Sequence, residues 1–220
     1  MTTENRPRAK GKRKPSAPCQ TCLMSQAICM CSELTPLKCR TRLLLVIHFA
    51  ELRRTSNTGN LACAALENSE RVIRGVDRTG LDLREHLTDG YQPLFLYPAD
   101  GAVELTAEVA REFDRPVQLI VPDGNWRQAS KVHYRHHEVS HVPRVFVRGD
   151  TDPRLRVRQE TTELGMATLE AIAFAFGVLE SPEVEAQLMR LYHSKAERIL
   201  WSRGHLSTAE CRVFEPGSVG

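Results

Sequence analysis

Apolar residues along this chain gather in short continuous runs, separated by stretches in which they recur with helical spacing. Thr41 to Ile47, TRLLLVI, carries aliphatic residues in succession and so leaves no polar face, the pattern of a strand buried on both sides. GNLACAALENS after it reads as a helix, and RVIRG as a second, short strand. PLFLYP from Pro93 to Pro98 is a third strand, LTAEVAREF a helix, and PVQLIVP a fourth strand that runs toward the helix-like RQASKVHYRHH. RVFVR from Arg144 to Arg148 makes a fifth strand, and helices are expected over Met166 to Leu179 and Val184 to Trp201. The alternation predicts an α/β fold: a largely parallel sheet with flanking helices. No GxGxxG follows the first strand, which removes the ordinary dinucleotide-binding fingerprint.

A length of 220 residues, 41% of them hydrophobic and 26% charged, suits one core with a small appendage. The formal charge of +3 is unevenly spread: six of the 30 Lys and Arg lie in the first fourteen residues, against one of the 27 acids. Residues 1–17 therefore read as a basic flexible tail, which either touches phosphates without sequence preference or serves only as a solubilising arm. The longest apolar stretch, MATLEAIAFAFGVL, contains Glu170 and falls short of the roughly 20 residues a bilayer span needs. The first fourteen residues hold no apolar signal region. A soluble, cytoplasmic protein with no membrane partner is expected.

Seven cysteines, an odd number with four of them between positions 19 and 31, do not make a secreted disulfide framework. Cys19, Cys22, Cys29 and Cys31 have the spacing C-x2-C-x6-C-x-C. Four thiolates in so short a segment suit a tetrahedral, structural zinc ion that organises a piece too small for its own core. An iron–sulfur cluster and a redox pair share that spacing and stay open. Cys39, Cys63 and Cys211 fall outside the pattern and read as incidental thiols. The expected divisions are a zinc-binding segment over 18–40, a main domain over 41–205 and a C-terminal tail over 206–220.

The chemistry centres on the turn Asp123-Gly124-Asn125-Trp126. A carboxylate where a buried strand gives way to a helix is held at the rim of the sheet, where open α/β folds bind ligands; the bland alternative is an Asp-Gly turn that only caps a helix. Trp126, three residues on, stands over the same face as a stacking surface for a base or as a core aromatic. Arg127, Gln128 and Lys131 on the following helix can meet phosphates or a carboxylate, or form a solvated face. HFAELRRTSNT, after the first strand, offers His48, Glu51, Arg54, Ser56, Asn57 and Thr58 in a loop of the kind that carries ligand contacts, although Ser-Asn-Thr is also a helix-capping sequence. Arg54 can present two parallel donors to a carboxylate or phosphate. Glu170 suits a ribose hydroxyl or the positive end of a helix dipole.

CQTCLMSQAICMC, HFAELRRTSNTGNLACAALENS, QLIVPDGNWRQASK and ELGMATLEAIA, in that order, resemble the DTW-domain family of tRNA-uridine aminocarboxypropyltransferases, from about Cys19 to about Leu200. The resemblance implies a SPOUT-like fold with a C-terminal trefoil knot, which periodicity would never suggest. It also implies cysteine-bound zinc, S-adenosylmethionine as group donor and tRNA as partner. The reaction implied moves a 3-amino-3-carboxypropyl group to the ring imino nitrogen of a uridine and releases methylthioadenosine. On this reading Asp123 is the catalytic base or orients the uracil. Pro98, Val121, Pro122, Trp126, Leu164, Thr168 and Glu170 would surround the donor. Substrate contacts would come from His48, Glu51, Arg54, Ser56, Asn57, Thr58, Asn125, Arg127, Gln128 and Lys131. Two positions depart from the family's usual pattern, with Asn125 in place of threonine and Ala167 in place of serine. A SPOUT-type RNA methyltransferase and a noncatalytic zinc-dependent RNA-binding protein are the competing readings.

Overall fold

The structure is a computed structural model and describes residues 17–76, 80–158 and 165–216, so nearly all of the expected basic arm lies outside the described residues. Six strands, β1 (Arg42–His48), β2 (Ser69–Arg74), β3 (Gln92–Leu96), β4 (Val103–Glu104), β5 (Val117–Asp123) and β6 (Arg144–Phe146), form one sheet. Its order is β2-β1-β5-β3-β6-β4, and every pairing is parallel. The helices are α1 (Gly59–Ala65), α2 (Ala107–Arg111), α3 (Trp126–Arg135), α4 (Thr168–Leu179) and α5 (Pro182–Ser202).

Successive side chains on a strand point to opposite faces. Leu43, Leu45, Leu119 and Val121 accordingly join a core with Leu61 of α1, Ile172 of α4 and Leu188 of α5. Leu44, Val46, Ile120 and Phe95 join a second, smaller core with Val132 of α3. With both faces covered, the middles of β1 and β5 are apolar, Leu43 to Ile47 and Leu119 to Val121, which is why they were legible as runs. β4, two residues at the sheet edge, has too little sequence to show any period.

Strand order places the site. β5 lies between β1 and β3, and Ile47 of β1 pairs with Asp123 at the end of β5. The loops leaving β1, β3 and β5 therefore meet over one edge of the sheet, at the carboxyl ends of its strands.

α5 is the second organising element. Leu188, Leu191, Tyr192, Ile199 and Leu200 bury one stripe of it, while Ser194, Lys195, Glu197 and Arg198 are buried polar residues on the same helix. The Glu197 carboxylate accepts the main-chain amides of Arg212, Val213 and Phe214 at 2.9, 2.8 and 2.7 Å, which seats the buried Phe214 ring under the Arg198 guanidinium. Arg198 also pairs with Glu33, and Cys22, Met24 and Met30 have no exposed surface, so the cysteine segment is packed into the core. Among the described residues no helix is long and apolar enough to cross a membrane.

Candidate active site

Asp123 ends β5 with only 5% of its surface exposed. It does not cap the next helix. Asn125 does, accepting the Gln128 amide at 2.9 Å while the Gln128 side chain accepts the Asn125 amide at 2.9 Å. Asp123 is instead held by two donors: the Asn57 side-chain amide on Oδ2 at 2.5 Å and the Thr168 hydroxyl on Oδ1 at 2.6 Å. Burial pushes its pKa above the usual aspartate range, against the pull of those two donors; the nearby Glu51 charge adds to the rise and Arg158 opposes it. Gly59, the first residue of α1, passes so close that a Cβ there would sit 2.7 Å from Asp123 Oδ2. The result is a fixed, proton-hungry carboxylate.

It opens into a cavity of about 410 Å³. Ring faces of Tyr97 and Trp126, 5.6 Å apart at 55°, form part of the wall, with Val121, Pro122, Phe146 and Met166 as apolar lining. Pro98, Ser56, Asn57, Thr58, Asn125, Arg127, Thr168 and Glu170 also border it. His48, Glu51, Arg54, Gln128 and Lys131 are not among its lining residues, and Leu164 lies outside the described residues. A cavity this size matches sites for small organic ligands, which run about 300 to 1,000 Å³ with few polar groups.

Several of the expected contacts serve the scaffold. Asn57 Oδ1 accepts the Asn60 amide at 3.2 Å near the start of α1. Thr58 Oγ1 accepts the Leu169 amide at 3.1 Å, satisfying a donor at the start of α4 where Ala167 has no side chain to do so. Glu170 folds back on the Ala167 amide at 3.1 Å. Glu51 is 1% exposed and binds Arg158 at 2.7 Å, with Arg54 at 3.4 Å. His48 accepts the Ala50 amide and faces Gln128 Nε2, each at 3.2 Å, and burial lowers its pKa.

Cys19, Cys22, Cys29 and Cys31 converge. Their sulfurs all lie within 4.8 Å of one another, with Cys19–Cys31 at 3.4 Å and Cys22–Cys29 at 3.6 Å. Tetrahedral zinc with Zn–S bonds of about 2.3 Å requires S···S edges of about 3.8 Å, so the donor set fits that ion. The turn between the first two ligands places Leu23 at φ 63°, the left-handed region, with the Leu23 amide on the Cys19 carbonyl at 2.9 Å. Backbone amides aimed at the Cys19 sulfur, that of Cys22 foremost, bring its thiol down to about 6.

Two residues that sequence reasoning passed over complete the site. Arg158 lines the cavity and joins Glu51 to Ser56, whose hydroxyl accepts from Nε at 2.8 Å. Lys195, with no exposed surface, donates to the main-chain carbonyls of Cys22 at 3.0 Å and of Asn57. Its signal was present: Leu188, Leu191, Lys195 and Ile199 share one helical stripe, so a lysine occupies an apolar position.

A profile of the DTW domain matches residues 16–200. The chain's relatives include proteins named tRNA-uridine aminocarboxypropyltransferase 2. That of Macaca fascicularis is 27% identical over 174 residues, covering 77% of this chain and 58% of that protein. That of Drosophila melanogaster is 29% identical over 187 residues, covering 80% and 72%. That of Mus musculus is 27% identical over 175 residues, covering 77% and 58%. The chain thus spans less than two thirds of the length of the macaque and mouse proteins. No solved structure gives a significant match. A profile running from the cysteine segment through the Asp123 turn to the last turns of α5 places the chain in the DTW domain family.

Proposed function

We propose that this chain is a tRNA-uridine aminocarboxypropyltransferase, the activity for which its relatives are named, with S-adenosylmethionine as group donor. The observation that carries this reading is the buried Asp123 carboxylate, clamped by Asn57 and Thr168 in the lining of a largely apolar cavity. Uridine's ring imino nitrogen is a poor nucleophile while protonated. Asp123 accepts that proton as the nitrogen attacks the carbon next to the sulfonium. The N–C bond forms, the C–S bond breaks and its electron pair stays on sulfur, which leaves as the neutral thioether of methylthioadenosine. General-base help of this kind is worth about 10² to 10⁴ in rate. Trp126 offers a face on which a base can stack, and Arg158 brings positive charge suited to the donor's carboxylate. Arg127, exposed at the rim, is placed for a tRNA phosphate.

The finer fold reading, a SPOUT-like domain with a trefoil knot, draws support from the return of the chain after β6: Thr168 and Leu169 at the start of α4 bond to Asp123 at the end of β5 and to Thr58 just before α1. Zinc at the four cysteines is structural in this reading, and a reducing cytoplasm suits their thiolates. The test is mass spectrometry of nucleosides and small products after incubation with S-adenosylmethionine and unmodified tRNA. A uridine carrying the aminocarboxypropyl mass with matching methylthioadenosine, both lost in Asp123→Ala, is the expected result. A methylated nucleoside with S-adenosylhomocysteine would make the chain a methyltransferase, and RNA binding with neither product would make it a noncatalytic RNA-binding protein.

A further inference from the structure

We infer that Lys195 is a positioning residue that couples the metal-binding segment to the loop holding the catalytic carboxylate. Its Nζ donates to the carbonyls of Cys22 and Asn57. Both acceptors are main-chain atoms, so the contacts fix backbone, whatever rotamers the side chains adopt. Cys22 belongs to the four-sulfur cluster, and the Asn57 side chain donates to Asp123. One side chain therefore stands between a sulfur ligand and the residue that orients Asp123.

The choice of a lysine at this point is informative. An ammonium without exposed surface carries a large desolvation cost, and a leucine or methionine would continue the apolar stripe between Leu191 and Ile199. Filling space does not require the charge. Two carbonyls accept from the charge, and among the described residues Asp123 and the thiols of Cys22 and Cys31 favour the ammonium while Arg158 opposes it. Four thiolates around a divalent ion leave net negative charge beside this ammonium, so a loaded cluster draws Lys195 and holds the Cys22 carbonyl in register. The other grips of this segment on α5, Glu33 with Ser194 and Arg198, do not extend to Asn57. Metal loading thus reaches the reaction through the Lys195–Asn57 contact. The inference rests on Asp123 being the catalytic group.

Hydrogen exchange read by mass spectrometry on the full chain, before and after zinc is removed by a chelator, tests this without turnover. The Asn60 and Leu61 amides, bonded to Asn57 and Thr58, report on the loop, and those of β1 and β5 serve as the internal reference. Stripping the wild-type protein is expected to speed exchange over 57–61 by about tenfold or more while β1 and β5 stay protected. In Lys195→Met the loop is expected to exchange at the faster rate already, with zinc removal adding little, so that the two perturbations are non-additive. Unchanged exchange over 57–61 in stripped wild-type protein overturns the inference, and so does equal loss across β1 and β5, which would mean that the metal holds the whole fold. Wild-type protection of the loop in Lys195→Met also overturns it. Should that variant fail to fold, the wild-type comparison alone decides. A wild-type protein that gave no transfer product would remove the proposed reaction while leaving the exchange coupling to be read.

Discussion

Gly59→Ala sets two forces of known sign against each other. Alanine in place of glycine favours a helix by up to about 1 kcal/mol, so with open space above Gly59 the substitution would stabilise α1. The space is not open. A Cβ at this position meets Asp123 Oδ2 at 2.7 Å, Cγ at 3.1 Å and Leu45 Cδ1 at 3.2 Å. The carboxylate has to retreat by a few tenths of an ångström, and it is held on both oxygens by bonds of 2.5 and 2.6 Å. Weakening one hydrogen bond to a charged group costs about 1.5 to 3 kcal/mol, which exceeds the helix gain. A net destabilisation of about 0.5 to 2 kcal/mol is expected, together with a fall in transfer rate that stays below the roughly 100-fold cost of a full 1 Å misplacement, because the carboxylate moves by less than that. The assays are thermal unfolding and product mass spectrometry at saturating tRNA. A variant with raised Tm and undiminished turnover would refute the reasoning, since it would mean that the position of Asp123 is not tightly set.

Asp123→Asn should abolish transfer while leaving stability at neutral pH equal or higher, since it removes a buried charge; differential scanning calorimetry beside the product assay checks both. Because burial raises the Asp123 pKa, the folded state binds that proton more tightly than the unfolded chain. Its contribution to stability is full below the unfolded value of about 3.9 and declines as pH rises toward the folded value, whereas the wild-type rate should climb over the same interval; pH-dependent melts should lose this feature in Asp123→Asn. Ala167→Ser should supply a cap oxygen at the start of α4 and raise stability by up to about 1 kcal/mol, read as a shift of about 2 to 4 °C in Tm. Cys22→Ser should lower zinc content measured by atomic absorption and lower Tm, whereas Cys211→Ser, outside the cluster, should leave the zinc stoichiometry unchanged.

The sheet was legible in sequence where burial on both faces forced an apolar run, as in Leu43 to Ile47 and Leu119 to Val121. Strand order was not, because β5 inserts between β1 and β3 through pairings that no local pattern encodes. The cysteine cluster was readable because four thiols in so short a segment are rare, and Asp123 was readable as an acid at the end of an apolar run. The division of labour among neighbours was not. Asn57 and Thr58 look equally fit to touch a ligand or to cap a helix; Asn57 accepts the Asn60 amide of α1, and only the approach of α4 shows that Thr58 satisfies the amide of Leu169. The same geometry accounts for the departure at Asn125, since its position is a helix N-cap, where asparagine and threonine both serve. Arg158 escaped notice because its partners, Glu51 and Ser56, are 107 and 102 residues away.

That α5 clasps the cysteine segment has a consequence for the order of biosynthesis. Cys22 is made 173 residues before Lys195. At translation rates of about 5 to 20 residues per second, the interval is roughly 9 to 35 seconds. For much of that time the four thiols wait while the helix that will enclose them does not yet exist, and a segment made long before α5 is among the last to find its place.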